Sequence, residues 1–294
     1  MKSQRISAVV VAALSLVLAM PVSAAQATPR VAPANFLAVG DSITQGLGVP
    51  VARSYPRVID AKTRKITLAA NLAAQGATVA SVATQLTGYA TANPAAAAGI
   101  KKITLTVGAN DVGWVQALLA CTNLPARVSC ADLVDPGTGM TTQQLVDAGR
   151  AGLSASLPAL LAGVGTLYPN ARVYVGGYYE LFGTRKKECV VTPATSVSPG
   201  YSISLVNKSW YNSMIRQLNA TIRTAVAAAK LAGAKVTFVN VASVFNGHGF
   251  CDSASRWVIG PQDIPVGSDL SAVAHPNVKG QRAYANRFFA KGVH

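Results

Sequence analysis

Short apolar runs alternate with longer segments of helical spacing along the 294-residue chain. Five of these runs are rich in apolar or β-branched residues and end at glycine or polar residues, which is typical of buried strands. They cover residues 36–39, 66–72, 103–107, 172–175 and 235–240. Helices are predicted at 56–62, from 78 onward, and at 112–119, 142–167, 207–231 and 277–291. Pro158 is the point at which the longest helix could break. Strands separated by helices predict an α/β fold with a five-stranded parallel sheet covered on both faces.

The N-terminal segment has the pattern of a secretory signal peptide. Basic residues precede an apolar run at 8–20, and small residues dominate positions 22–27, so cleavage is expected after Ala27. The apolar run is shorter than the roughly 20 residues of a membrane-spanning helix. We therefore expect residues 1–27 to be removed and residues 28–294 to form a single domain of a secreted, extracellular protein.

The chain is strongly basic. Its formal net charge is +15, and it is +13 without Lys2 and Arg5 of the signal peptide. This charge favours transient contact with an anionic lipid or cell-wall surface, and it could also attract nucleic acid. Aromatic residues make up only 6% of the chain, and the basic residues are scattered apart from Arg185, Lys186 and Lys187. We therefore expect no nucleic-acid partner.

The cysteines predict disulfide bonds rather than a metal site. An exported chain with four cysteines should pair them, and three connectivities are open. The short interval favours Cys121–Cys130, which leaves Cys189–Cys251 as a long-range bridge. No C-x-x-C spacing occurs and the chain has only three histidines, so we expect no metal.

A serine, Ser42, follows the first predicted strand after a Gly-Asp pair. Reactive groups collect at the carboxyl ends of parallel strands, although a serine after Gly-Asp is also an ordinary turn or helix N-cap residue. Gly76 and Asn110 follow the second and third strands, and His275 precedes the last helix. Histidine is the usual base for a serine nucleophile, and backbone N–H groups with an amide can stabilise an oxyanion.

Four sequence blocks resemble the signatures of the SGNH/GDSL hydrolase superfamily. They are Gly40-Asp41-Ser42, Gly76, Gly108-Ala109-Asn110-Asp111 and His275-Pro276, in the order and spacing of that superfamily over nearly the whole mature chain. The exported, cysteine-bearing form most resembles the secreted GDSL lipases and esterases of actinomycetes. The resemblance implies a flavodoxin-like three-layer α/β/α sandwich with five parallel strands, and one catalytic domain at 28–294.

The same resemblance implies roles for individual residues. Ser42 would be the nucleophile and His275 the general base. The Ser42 and Gly76 amides, with Asn110, would form the oxyanion hole, and no cofactor is required. Cys121–Cys130 and Cys189–Cys251 match two bridges of that subgroup, whereas its further N-terminal bridge has no cysteines here.

One departure concerns the residue that orients the histidine. The superfamily usually places an aspartate three residues before it, where this chain has Ala272. The backbone carbonyl of Ala272 or of a neighbour is the expected substitute. Asp269 could instead loop back to His275, although six residues is an awkward separation.

These observations predict a secreted serine ester hydrolase, a lipase or esterase that cleaves carboxylic esters through an acyl-serine intermediate. The alternatives are a carbohydrate deacetylase of the same superfamily and a non-catalytic exported binding protein on the same fold. A monomer acting on a small-molecule or lipid ester is expected. Tyr178 and Tyr179 could line the acyl pocket or pack in the core. Hydrolysis should rise with pH across the neutral range as His275 loses its proton.

Overall fold

The computed structural model describes residues 34–184, 188–192, 200–252, 255–265 and 268–294, all within one compact unit. The predicted signal peptide at 1–27 and the basic residues 185–187 lie outside the described residues. Within the described part of the chain, no helix is both long and apolar enough to span a membrane.

Five parallel strands form the central sheet, as predicted. The seven described strands are β1 (Phe36–Gly40), β2 (Leu68–Asn71), β3 (Lys102–Thr106), β4 (Arg172–Gly176), β5 (Cys189–Thr192), β6 (Tyr201–Ile203) and β7 (Val236–Val239). The sheet order is β2-β1-β3-β4-β7, and every neighbouring pair in it is parallel. All five residues of β1 are buried, because helices cover both faces of a parallel sheet. This strand lies between β2 and β3, so its carboxyl end is flanked by a strand on each side.

The helices form two groups around the sheet. They are α1 (Ser42–Gln45), α2 (Tyr55–Lys62), α3 (Val79–Ala92), α4 (Pro94–Gly99), α5 (Trp114–Cys121), α6 (Thr142–Leu167), α7 (Leu205–Leu231) and α8 (Val278–Ala290). One group packs α6 against α3 and α7, and the other packs α2 against α8. The fold is an α/β sandwich of the predicted flavodoxin-like type.

The long helix α6 continues through Pro158 without a break. Proline removes the hydrogen bond to the carbonyl four residues earlier, which belongs here to the exposed Ser154 and can bind water. Leu153, Leu157 and Leu161 on either side of it in the sequence are buried and hold the helix against the core. Core packing therefore outweighs the local cost of the proline.

One local prediction was wrong, and two elements were not predicted. Helix α5 begins at Trp114 rather than 112, because Gly113 adopts φ +66° and ends the preceding turn. The short helix α4 and the antiparallel hairpin of β5 and β6 were not predicted. These elements are short, and tertiary contacts rather than hydrophobic periodicity define such elements.

The structure contains two disulfides that involve all four cysteines. Cys121–Cys130 joins the end of α5 to a turn nine residues on. Cys189–Cys251 spans 62 residues and ties the β5–β6 hairpin to the segment that carries Phe250. The second bridge therefore anchors a peripheral hairpin to the main body.

Candidate active site

The turn that carries Ser42 is built by its two preceding residues. Gly40 has φ +128°, and a Cβ atom there would lie 2.3 Å from the carbonyl oxygen of Thr106 on β3. Asp41 caps α1, its side chain accepting a hydrogen bond from the backbone N–H of Ile43 at 3.0 Å. Ser42 is thereby the first residue of α1, just after the carboxyl end of the buried strand β1.

Ser42 and His275 meet although 233 residues separate them. The Ser42 Oγ lies 2.7 Å from the His275 Nε2, and each residue is only 5% exposed. Burial lowers the pKa of the imidazole from 6.5 to about 4. The ring is therefore neutral near pH 7, as a base that accepts the serine proton must be.

The second nitrogen of His275 faces a main-chain carbonyl, and the carbonyl is that of Val273. Its oxygen lies 3.2 Å from Nδ1, whereas the Ala272 carbonyl accepts the backbone N–H of His275 at 3.1 Å. The Asp269 carboxylate is fully exposed and accepts hydrogen bonds from the backbone and hydroxyl of Ser271 at 2.8 and 2.7 Å. The carbonyl at Nδ1 is thus that of Val273, the neighbour of Ala272, while the Asp269 carboxylate is bonded to Ser271.

The residue before the histidine has an unusual backbone conformation. Ala274 adopts φ +67°, and its carbonyl accepts a 2.5 Å hydrogen bond from the Tyr179 hydroxyl. Its N–H donates to the Ile259 carbonyl, while the Ile259 N–H donates to the carbonyl of His275, both at 2.8 Å. The Trp114 ring meets the imidazole edge-on at 5.5 Å. Sequence reasoning did not identify these supports.

The predicted oxyanion donors line the same cleft as Ser42 and His275. Gly76 is exposed at φ +75°, a conformation that favours glycine. The Asn110 amide nitrogen donates to the Ala77 carbonyl at 2.9 Å, and its oxygen accepts from the Trp114 indole at 3.3 Å. One of the two amide hydrogens is thus engaged, and the second remains for a substrate oxygen.

Asp41 is buried beneath the serine turn in a hydrogen-bond network. One carboxylate oxygen accepts from the Thr106 hydroxyl at 2.6 Å, and the other accepts from the Tyr178 hydroxyl at 2.5 Å. Burial raises the pKa of Asp41 to about 6, against the lowering effect of these bonds. Tyr178 therefore serves this network through its hydroxyl, in addition to contributing its ring to the core.

Asp111 supports the loop after β3. One of its carboxylate oxygens accepts the N–H of Val79 at the start of α3, at 3.0 Å. The other oxygen is buried without a hydrogen-bond partner. Burial raises the pKa of this carboxyl above its ordinary value. The contact links the loop of Asn110 to the helix that follows Gly76.

A cleft of about 550 Å³ opens beside Ser42 and His275. Its lining is mainly apolar and comes from α5, the β5–β6 hairpin and segments near the C-terminus. The apolar residues are Trp114, Val115, Leu118, Leu119, Phe182, Val191, Tyr201, Ile203, Phe250, Pro261, Leu270 and Val273. Leu119 is 67% exposed at the cleft. This lining suits a hydrocarbon chain, because apolar groups gain free energy when they leave water.

The described residues contain no group of three histidine, cysteine, aspartate or glutamate side chains placed to hold a metal ion. The site itself presents a buried serine and a histidine that is neutral near pH 7. Both stand beside backbone and amide donors, as acyl transfer requires.

Sequence comparison gives two findings. A family model described as the GDSL-like lipase/acylhydrolase family matches residues 38–283. A lipase of Streptomyces rimosus is 26% identical over 276 residues, which cover 88% of this chain and 87% of the relative.

Solved structures share the fold. Phospholipase A1 from Streptomyces albidoflavus aligns with a TM-score of 0.63 at 18% identity, over 89% of this chain and 100% of its own. The extracellular lipase from Streptomyces rimosus aligns with a TM-score of 0.59 at 20% identity, over 87% of this chain and 99% of its own.

Proposed function

The chain belongs to the GDSL-like lipase/acylhydrolase family and is a carboxylic ester hydrolase, and we propose that it acts through an acyl-Ser42 intermediate. The observation that carries the proposal is the 2.7 Å contact between Ser42 Oγ and His275 Nε2 at an apolar cleft. This distance is within hydrogen-bond reach of a nucleophile and its base.

In the proposed reaction His275 Nε2 takes the Ser42 proton as the serine oxygen attacks the ester carbonyl carbon. The amides of Ser42 and Gly76 and the free amide hydrogen of Asn110 stabilise the oxyanion. The imidazolium then gives its proton to the departing alcohol. Water, activated by the same histidine, hydrolyses the acyl-serine and restores the free serine. The Val273 carbonyl keeps the proton on Nδ1 by accepting its hydrogen bond.

We propose esters with an extended apolar acyl chain, as in lipids, as the preferred substrates. The cleft volume of about 550 Å³ falls in the range of sites that enclose drug-sized or larger ligands. Apolar side chains are the larger part of its lining, although polar side chains such as Gln75, Gln116 and Ser202 also reach it. Sugar hydroxyl groups that face the apolar side chains would lose hydrogen bonds to water, at a cost in free energy.

Secretion is part of the proposal. Disulfides persist in oxidising environments outside the cytosol, and this chain contains two. The N-terminal sequence has the three regions of a signal peptide. N-terminal sequencing of the protein from a culture supernatant should find a chain that starts at Thr28.

The proposal is tested with esters of increasing acyl length, a phospholipid and an acetylated sugar. Ser42→Ala should lower kcat on the order of 10⁴-fold or more, because no other group can form the acyl intermediate. Ser54→Ala is the matched control, since Ser54 is also buried and its hydroxyl donates to Val51. Activity that survives in Ser42→Ala would rule out the acyl-serine mechanism.

The substrate class is tested with Leu119→Asp. A charge at the cleft should raise KM about tenfold for long-chain esters, which corresponds to roughly 1.4 kcal/mol, and leave acetyl esters unchanged. Leu231→Asp is the control, because Leu231 is 91% exposed and does not line the cleft. Faster turnover of acetyl esters than of long-chain esters by the unmodified protein would contradict the proposal.

A further inference from the structure

We propose that Tyr179 is a positioning residue for His275, which it holds in place through the backbone carbonyl of Ala274. The inference rests on the proposed function, because it concerns the base of that mechanism. It begins from the hydrogen bond at the Nδ1 of His275, which goes to a backbone carbonyl, that of Val273 at 3.2 Å, instead of to a carboxylate. A neutral hydrogen bond of that length fixes a ring weakly. The orientation of the imidazole must therefore come from the segment that bears it.

That segment adopts a conformation that alanine does not favour. Among the described residues, three besides glycine have positive φ: Asn123, Cys251 and Ala274. Asparagine tolerates this region through local side-chain hydrogen bonds, but alanine has no such means. A non-glycine residue persists there only when its surroundings hold it. Ala274 directly precedes His275, so its φ of +67° sets the direction in which the imidazole leaves the chain.

Two hydrogen bonds hold the backbone of Ala274 in this conformation. Its N–H donates to Ile259 on one side, and on the other its carbonyl accepts the Tyr179 hydroxyl at 2.5 Å. Tyr179 is itself well anchored: it is 6% exposed and follows β4 by three residues. Its ring stacks on Phe245 at 4.3 Å with an angle of 11°. The Tyr179 hydroxyl therefore holds the Ala274 carbonyl in a fixed position relative to the sheet.

A small cavity beside the imidazole leaves room for the ring to move if the hydrogen bond from Tyr179 is lost. A cavity of about 30 Å³ is lined by Ser42, Tyr178, Tyr179 and His275, among others. Without the tyrosine hydroxyl, the Ala274 carbonyl would be buried without its partner, and the residue would relax toward negative φ. The ring would then turn away from Ser42 Oγ. An error of about 1 Å in such a contact is enough to slow catalysis about a hundredfold.

Tyr179→Phe tests the proposal, because it keeps the ring and removes only the hydroxyl. We expect kcat to fall between about tenfold and a hundredfold with KM within about twofold, since substrate binding is untouched and only the base is displaced. Tyr168→Phe is the matched control: Tyr168 is fully buried, and its hydroxyl donates to the Leu86 carbonyl at 2.7 Å, far along the chain from the site. The two variants should lose similar thermal stability. A loss of kcat in Tyr179→Phe no larger than in Tyr168→Phe would overturn the proposal.

Ala274→Gly provides a rescue test. Glycine adopts positive φ without strain, so it has less tendency to relax when the tyrosine hydroxyl is missing. The double variant Tyr179→Phe, Ala274→Gly should therefore have a kcat at least about threefold higher than that of Tyr179→Phe alone. Such a gain would be a non-additive effect of neighbouring residues. No recovery would show that the backbone of Ala274 does not carry the effect.

A measurement without substrate separates this inference from the proposed mechanism. The chain has three histidines, so their ring signals can be assigned by ¹⁵N NMR. In the unmodified protein His275 should show one tautomer, protonated at Nδ1, and in Tyr179→Phe it should show a mixture. Ser42→Ala activity reports on the mechanism, whereas an unchanged His275 tautomer in Tyr179→Phe would refute the role of Tyr179 alone.

Discussion

At the scale of the residue, burial acts in opposite directions on the two titratable groups beside Ser42. It removes water from the imidazole of His275 and lowers its pKa to about 4. It raises the pKa of Asp41 to about 6. In both cases the low-dielectric surroundings disfavour the charged form. The consequence for His275 is that it is ready to accept a proton over the whole neutral range.

The pH profile of hydrolysis follows from that shift. We expect kcat/KM to be constant from about pH 6 to 8 and to fall on acidification with a midpoint near the His275 pKa of about 4. The rise across the neutral range that an ordinary histidine would produce is not expected. The measurement is kcat/KM for a short soluble ester in constant ionic strength. A midpoint at 6.5 or above would show that the base is not the buried imidazole.

The stability of the fold also depends on pH in this range and must be measured alongside activity. The folded pKa of His275, about 4, is below the ordinary value of 6.5, so the unfolded chain binds more protons between these values. This group therefore contributes stability fully above 6.5, and the contribution is lost as pH falls toward 4. Circular dichroism at each pH separates loss of the fold from protonation of the base.

At the scale of the element, the site depends on how closely β1 and β3 approach each other. The last residue of β1 pairs with the last residue of β3 in parallel register, Gly40 with Thr106. The Asp41 N–H continues that pairing by donating to the Thr106 carbonyl at 3.0 Å. A side chain at position 40 would push the two strand ends apart. The serine turn thus requires a glycine for steric reasons as well as for its φ.

Two glycine-to-alanine substitutions should have opposite effects on stability. Gly40→Ala should lower the free energy of unfolding by about 3 kcal/mol or more, because its Cβ would clash with β3 at a strained φ. Gly152→Ala in the exposed part of α6 should raise it by about 0.5–1 kcal/mol, because nothing lies within 4 Å of its Cβ and alanine favours the helix. Urea unfolding measures both. A Gly40→Ala protein as stable as the parent would disprove the steric argument.

At the scale of the whole molecule, the cleft is assembled from parts that are far apart in the chain. Helix α5, the β5–β6 hairpin and the segment of Phe250 each contribute one wall. The Cys189–Cys251 bridge connects two of these parts, while Cys121–Cys130 clips the end of the third. The disulfides therefore bear on the shape of the cleft as well as on stability.

Removing the two bridges separately should produce unequal losses. Loop-closure entropy predicts about 4 kcal/mol for the 62-residue loop of Cys189–Cys251 and about 2.5 kcal/mol for the nine-residue loop of Cys121–Cys130. Each pair is replaced by alanine, and unfolding is followed in denaturant. The Cys189–Cys251 variant should also raise KM for long-chain esters more than for acetyl esters. Equal losses from both variants would argue against the loop-length account.

Much of the fold, and the residues of the candidate site, could be predicted from patterns in the sequence. Strand and helix periodicity located all five strands of the main sheet, because burial of one face or both imposes those periods on neighbouring residues. Turn chemistry then placed Ser42, Gly76 and Asn110 after successive strands. The short helix α4 and the β5–β6 hairpin escaped prediction, because elements this short carry too few residues for a period to show.

The surroundings of His275 were decided by the tertiary structure. The carbonyl that faces His275 Nδ1 belongs to Val273, and the hydroxyl on Ala274 comes from a tyrosine 95 residues away. The first contact joins residues two apart and depends on the backbone conformation of their segment. The second does not follow from spacing along the chain, since it depends on how segments that follow different strands pack together. The pKa of His275 likewise depends on the water that packing excludes. Residue types and their order therefore specify the chemistry, whereas long-range packing specifies its geometry and its pH range.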